Sequence, residues 1–192
     1  VLETPVRKFR RSLASDCLPL LEALREGDPG RVVERFFDRP WTRPVTVREL
    51  GRVSGLPPLA IESEVHSRVR RGELIYFKGQ GAMRQNRYDK AVVLLKAAIK
   101  YDDSNPAYHS WYGFSLGVLN TQLHEARDAC KKALEMEFYN ADYHANLGFV
   151  YMQAGLASTA MEAFEEALKW DPDHPVALRY LRNGQPNPAV PF

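Results

Sequence analysis

Between residues 72 and 174 the chain alternates two kinds of apolar stretch, each of helical length and separated from the next by a short polar break. In the first kind a small residue recurs at Gly79, Gly113 and Gly148, spaced 34 and 35 residues apart. In the second it recurs at Ala91, Ala126 and Ala160, spaced 35 and 34 apart. One period therefore runs through both series, with a single extra residue between Gly113 and Ala126. Self-similarity at such a period marks a stacked array, in which each unit buries its apolar face only against a neighbour. The spacing predicts helical pairs. The glycine lets the first helix approach its partner closely, the alanine does the same from the second, and Leu95, Cys130 and Phe164 fill the gap to the next pair.

Helix punctuation agrees with this phasing. Asn105-Pro106 offers a cap followed by a first-turn proline, Asn140 offers another cap, and residues 173–175 open a further short helix over 175–183. Val176, Leu178, Tyr180 and Leu181 on that helix are expected to cover the last pair. Gly184 ends it, and the proline-rich tail 185–192 is expected to be extended.

At these positions the chain resembles the tetratricopeptide repeat family, whose pattern runs from a large residue through Leu-Gly and Tyr to Ala-x-x-x-Phe and a proline. The third copy matches best, with His144, Leu147-Gly148, Tyr151, Gly155, Ala160, Phe164, Ala167 and Pro172. The second offers His109, Tyr112-Gly113, Leu116, Ala126, Cys130, Ala133 and Phe138, and the first Ile75, Lys78-Gly79, Ala82, Ala91, Leu95, Ala98 and Asp103. The resemblance implies an all-α fold. Its form would be a right-handed superhelix of three helical hairpins (72–105, 106–140, 141–174) with a C-terminal capping helix, preceded by a small helical N-terminal segment.

It also implies a non-catalytic scaffold or adaptor that binds a protein or peptide partner, as an extended peptide or an amphipathic helix, in the concave groove of the first helices. The family's groove positions fall here on Glu73, Tyr76, Gln80, Met83 and Arg84, on Ala107, Ser110, Phe114, Gly117 and Val118, and on Asp142, Ala145, Phe149, Met152 and Gln153. Tyr76, Gln80, Met83, Arg84, Ser110, Phe114, Val118, Ala145, Phe149 and Met152 form the candidate partner-binding set, with Tyr76, Phe114, Phe149 and Met152 as anchors. The competing reading is that these side chains pack between repeats, or that the N-terminal segment or the tail fills the groove. Members that grip a C-terminal carboxylate do so with lysines, asparagines and an arginine. The matching positions here hold Tyr76, Gln80, Trp111, Asp142 and Asn146, so the clamp is absent.

Ahead of the repeats, residues 13–26 carry Leu13, Cys17, Leu20, Leu21 and Leu24 at helical spacing, and 29–39 form a second amphipathic stretch within an N-terminal segment 1–45. Residues 46–71 read differently, and over 46–74 the chain resembles a helix-turn-helix: a helix over 47–53, a turn at Ser54-Gly55-Leu56, and a second helix over 58–71. That resemblance supports the alternative of a regulator whose helix-turn-helix contacts DNA while the repeats sense a protein. Glu62 and Glu64 near the start of the second helix would repel phosphates and argue against nucleic acid as a partner.

Composition adds boundaries and exclusions. With 192 residues and 45% hydrophobic content the chain can build a real core. The net charge of +2 hides an asymmetry: residues 1–71 hold 14 Lys+Arg against 10 Asp+Glu, residues 72–192 hold 12 against 14. Cys17 and Cys130 form no C-x-x-C pair, and His66, His109, His124, His144 and His174 form no ligand motif, so neither a metal nor a cofactor is expected. No phosphate loop or nucleophile elbow is present, and no catalytic residue is assigned. No apolar run approaches the roughly 20 residues that span a bilayer, and a cytoplasmic location without membrane insertion is expected. The first residue, Val1, is compatible with a piece of a longer protein, and the pattern leaves the oligomeric state open.

Overall fold

The computed structural model describes residues 29–37 and 47–183, and every regular element among them is a helix. These are α1 (Pro29–Phe37), α2 (Val47–Ser54), α3 (Pro58–Arg84), α4 (Tyr88–Tyr101), α5 (Pro106–Val118), α6 (Leu123–Met136), α7 (Ala141–Gln153), α8 (Ala157–Trp170) and α9 (Pro175–Asn183). The segment 13–26, residues 38–46, Cys17 and the tail 185–192 lie outside the described residues. The chain divides into two compact units, Val1–Arg71 and Gly72–Phe192.

In the first unit Val32, Val33, Leu50 and Ile61 are buried. Gly55 lies in the turn expected between α2 and α3, and its φ of 73° is a left-handed conformation that glycine takes at no steric cost. The expected end of the second helix at Arg71 is corrected. α3 runs unbroken through Gly72 to Arg84, because good helix formers flank that glycine with no proline or cap residue among them. Gly72 is buried, and a Cβ on it would meet the Tyr101 Cβ at 3.2 Å, so its smallness serves close packing and not termination.

In the second unit the turns α3–α4, α5–α6 and α7–α8 close alike. Asn86, Asn120 and Gly155 each take a positive φ, of 56°, 50° and 75°. Their amides donate to the carbonyls of Met83, Gly117 and Met152, while the next amides, of Arg87, Thr121 and Leu156, donate to those of Ala82, Leu116 and Tyr151. This is the Schellman closure, which satisfies carbonyls that the end of a helix leaves without partners. The extra residue falls in the α5–α6 turn, where Gln122 is also forced to a φ of 48°.

Between pairs, the Asn105 side chain accepts from the Ala107 amide and the Asn140 side chain from the Asp142 amide, as the capping pattern requires. His174 holds the same place before α9. Its Nδ1 accepts from the Ala177 amide at 3.2 Å, and its Nε2 donates to Asp142 Oδ1 on α7 at 3.0 Å. The core joins Ala91, Leu95, Leu116, Ala126, Cys130, Val150, Ala160, Phe164 and Ala167. Tyr180 of α9 lies flat on Phe164, ring centroids 4.6 Å apart, and so covers the α7–α8 pair. Cys130 is buried as a free thiol, and burial pushes its pKa far above the ordinary range, which leaves it unreactive.

Candidate functional site

The candidate residues lie on α3, α5 and α7, and their burial separates them into two groups. Met83, Ser110, Phe114, Ala145 and Phe149 are buried. Tyr76, Gln80, Val118 and Met152 are partly exposed and Arg84 is exposed.

Phe114 and Phe149, expected as anchors open to a partner, are instead spent on packing. Their rings lie 4.9 Å apart, Phe114 meets Tyr88 and Trp111 edge to face, and Phe149 meets Tyr180. Gly117 makes room for this, since a Cβ on it would stand 3.3 Å from the Phe149 ring and 3.1 Å from Val150 Cγ2. The Ser115 hydroxyl donates to the Met83 sulfur beneath the same layer.

The polar members pair with one another. Gln80 Nε2 donates to the Tyr76 hydroxyl at 2.8 Å, and Asn146 Nδ2 donates to Ser110 Oγ at 2.9 Å across α5 and α7. The Tyr76 ring rests on Tyr108, with centroids 4.8 Å apart, and Phe77 stands beside it, 64% exposed. Burial pushes the Tyr76 phenol up to about 12, with the Gln80 hydrogen bond opposing and the Asp142 carboxylate adding to the rise. Phe77 was missed from sequence. The signal available was its 34-residue spacing from Trp111, which places both at one repeat position.

The histidines assigned a packing role hold loops. His109 Nε2 reaches the Asp103 carbonyl at 2.8 Å, and His144 Nε2 reaches the Phe138 carbonyl at 2.7 Å. Each thereby ties its helix to the turn just before it. Burial, the largest influence, lowers the His109 pKa below 6.5. On the opposite face Glu125 Oε1 accepts from Tyr112 and from Lys96, an ion pair bridging α4 and α6. No helix among the described residues is long and apolar enough to cross a membrane, and no group of three or more His, Cys, Asp or Glu there is placed to hold a metal ion.

Residues 119–184 match a tetratricopeptide repeat family model. The structure is similar to the TPR domain of Arabidopsis OM64, with a TM-score of 0.56 at 22% identity over 60% of this chain and 94% of that one. It is likewise similar to the second TPR domain of human RPAP3, solved in complex with the HSP70 peptide SGPTIEEVD, with a TM-score of 0.54 at 18% identity over 64% and 99% of the two chains. The Sgt2 TPR domain from Aspergillus fumigatus gives 0.53 at 18% identity over 64% and 88%.

Proposed function

From a chain that carries tetratricopeptide repeats we infer a non-catalytic adaptor that holds a peptide or an amphipathic helix of another protein against α3, α5 and α7. In this reading three hairpins stack over 72–105, 106–140 and 141–174, and α9 caps them.

The observation that carries it is the make-up of the wall. α5 and α7 contain a single Asp, Glu, Lys or Arg between them, Asp142, although 26% of the chain is charged. Partly exposed Val118 and Met152 pack onto the buried core of that wall. An apolar surface with this polar edge suits a partner that buries side chains there. Binding of a peptide by the similar RPAP3 domain supports the same use of the fold. With Phe114 and Phe149 already packed, Tyr76, Gln80, Val118 and Met152 are the partly exposed candidates for a ligand, and Arg84 is exposed.

The test is selection of displayed random peptides against the full chain, followed by binding to Val118→Arg combined with Met152→Arg. Both side chains are partly exposed, so the variant is expected to keep its helical circular dichroism and to lose the selected peptides at least tenfold. Lys131→Ala and Val93→Ala, at exposed positions of α6 and α4, are expected to bind as the parent does. Peptides that bind the double variant at parental affinity would place the binding surface elsewhere.

A second reading has one feature in its favour, the α2–Gly55–α3 turn, whose form suits a helix-turn-helix. Affinity for random duplex DNA that falls steeply with salt would support DNA contact, and its absence at low salt would remove it.

A further inference from the structure

Three large aromatic side chains of the second unit stand exposed together, and none belongs to α3, α5 or α7. Phe138 and Tyr139 lie in the link between α6 and α7, and Trp170 is the last residue of α8. They are 62%, 56% and 47% exposed, yet their rings meet. The Phe138 ring stands 5.5 Å from that of Tyr139 at 81°, and 5.5 Å from that of Trp170 at 75°.

The link itself does not require these rings. His144 Nε2 reaches the Phe138 carbonyl as His109 Nε2 reaches the Asp103 carbonyl, so an aspartate at the same repeat position builds the same link. Pro172 holds that position in the third copy, and Ser104 and Asp173 hold the position of Tyr139. Large aromatic surface left in water, where the other copies use polar residues or proline, marks a place of contact.

The angles select the ligand. Two rings at right angles with touching edges leave a corner between their open faces. An atom resting about 3.5–4 Å above both planes lies within about 6 Å of both centroids, the range in which a cation is drawn to the ring quadrupoles. A guanidinium is flat and stacks on one wall of such a corner, while a bare ammonium is compact and holds its water strongly. An ammonium clothed in methyl groups is round and touches both walls. Charge agrees with a cation: partly exposed Glu137 directly precedes Phe138, exposed Asp171 directly follows Trp170, and Lys169 is paired with Glu166.

We propose that Phe138, Tyr139 and Trp170 form a binding site for a methylated ammonium group, as carried by a trimethylated lysine side chain or by choline. Phe138 takes part in both right angles and is the shared wall, and Trp170 is the ring type that attracts a cation most strongly. The site uses no residue of the groove and stands whether or not a peptide lies on α3, α5 and α7.

The experiment titrates the full chain with Nα-acetyl-trimethyllysine amide and follows the indole N–H resonance of Trp170, identified by its loss in Trp170→Phe. A saturable shift is expected. The neutral isostere, with carbon in place of the quaternary nitrogen, and the unmethylated lysine derivative are each expected to bind about tenfold more weakly or less. Phe138→Ala keeps the backbone carbonyl that His144 holds, so it is expected to melt near the parent and to lose the shift. Choline is titrated alongside. Whichever cation binds more tightly assigns the source, a protein side chain or a free or lipid head group, and either supports the proposal. No saturable shift with either cation would overturn it, as would undiminished binding to Phe138→Ala. A neutral isostere bound as tightly as the cation would also overturn it, and would make the three rings a plain apolar contact.

Discussion

The Phe114 ring on α5 and the Phe149 ring on α7 touch across the gap between successive helices, their centroids 4.9 Å apart and both side chains buried. They hold α5 to α7, at positions where a ligand-facing role was expected. Phe114→Ala and Phe149→Ala are each expected to destabilise the protein by about 3–5 kcal/mol, the usual cost of emptying a packed aromatic site. Chemical denaturation reads this directly. Variants that unfold at the parental midpoint would show that the rings are not packed as described.

A graded series is expected for alanine at three repeat glycines. On Gly113 a Cβ would stand 2.4 Å from the Ala126 carbonyl oxygen and 2.6 Å from Cys130 Sγ, and a backbone oxygen in a helix has little room to yield. On Gly148 the closest atoms belong to the Phe164 ring, at 2.8 Å, which is wedged against Tyr180. On Gly79 the closest is the Leu95 side chain at 3.2 Å, which gives by a small rotation. Overpacking costs about 1–3 kcal/mol or more, while alanine in a helix gains about 1 kcal/mol over glycine. Gly79→Ala should therefore melt near the parent, Gly148→Ala lower and Gly113→Ala lowest, and any other order in thermal melts would contradict the packing.

His109 makes stability depend on pH. Its native pKa lies below the ordinary 6.5 because the ring is buried, so below that pH the unfolded chain binds a proton that the native state resists. Its neutral form supports the fold fully above about pH 6.5, and the support is lost as pH falls from there through the native pKa. Melting temperature should drop between about pH 7 and pH 5 by more in the parent than in His109→Gln. Equal drops would assign the pH dependence to other groups.

Gln122 is neither Gly nor Asn, yet it takes a left-handed conformation with φ of 48°. Such a conformation costs a residue with a Cβ about 1–2 kcal/mol. Gln122→Gly relieves it but enlarges the freedom of the unfolded chain, so a net gain of about 0.5–1 kcal/mol is expected. The denaturation midpoint should rise without a change in the steepness of the transition, and an unchanged midpoint would mean that the strain is not there.

The repeat phase, the helical pairs and the turns could be read from residue types alone, because Gly, Ala, Asn and Pro each answer a local steric demand that recurs every 34 or 35 residues. Asn105, Asn140 and Gly155 stand where such demands place them. The end of the second N-terminal helix was misjudged, since Gly72 looks like a stop in sequence and acts as a contact in space. The candidate wall was harder for a related reason. Whether Phe149 faces a ligand or lies across α5 depends on the bulk of Gly117, a residue 32 positions earlier that touches it only after the stack has formed. A repeat pattern gives the face of a helix, and the neighbour decides how much of that face stays open. His174 as a cap was not foreseen either, since its Nδ1 works in place of the asparagine oxygen used at Asn105 and Asn140.

The α5–α6 turn carries one residue more than its two counterparts, yet Gly113 still meets Cys130 as Gly148 meets Phe164. Phase in this array is thus kept by side chains in contact, as the teeth of a zip are kept in step, and chain count between them is free to vary. For anyone wishing to attach a dye, a tether or a short inserted loop, the link between Asn120 and Leu123 is a permissive splice point: material added there lengthens the slack and leaves the teeth engaged.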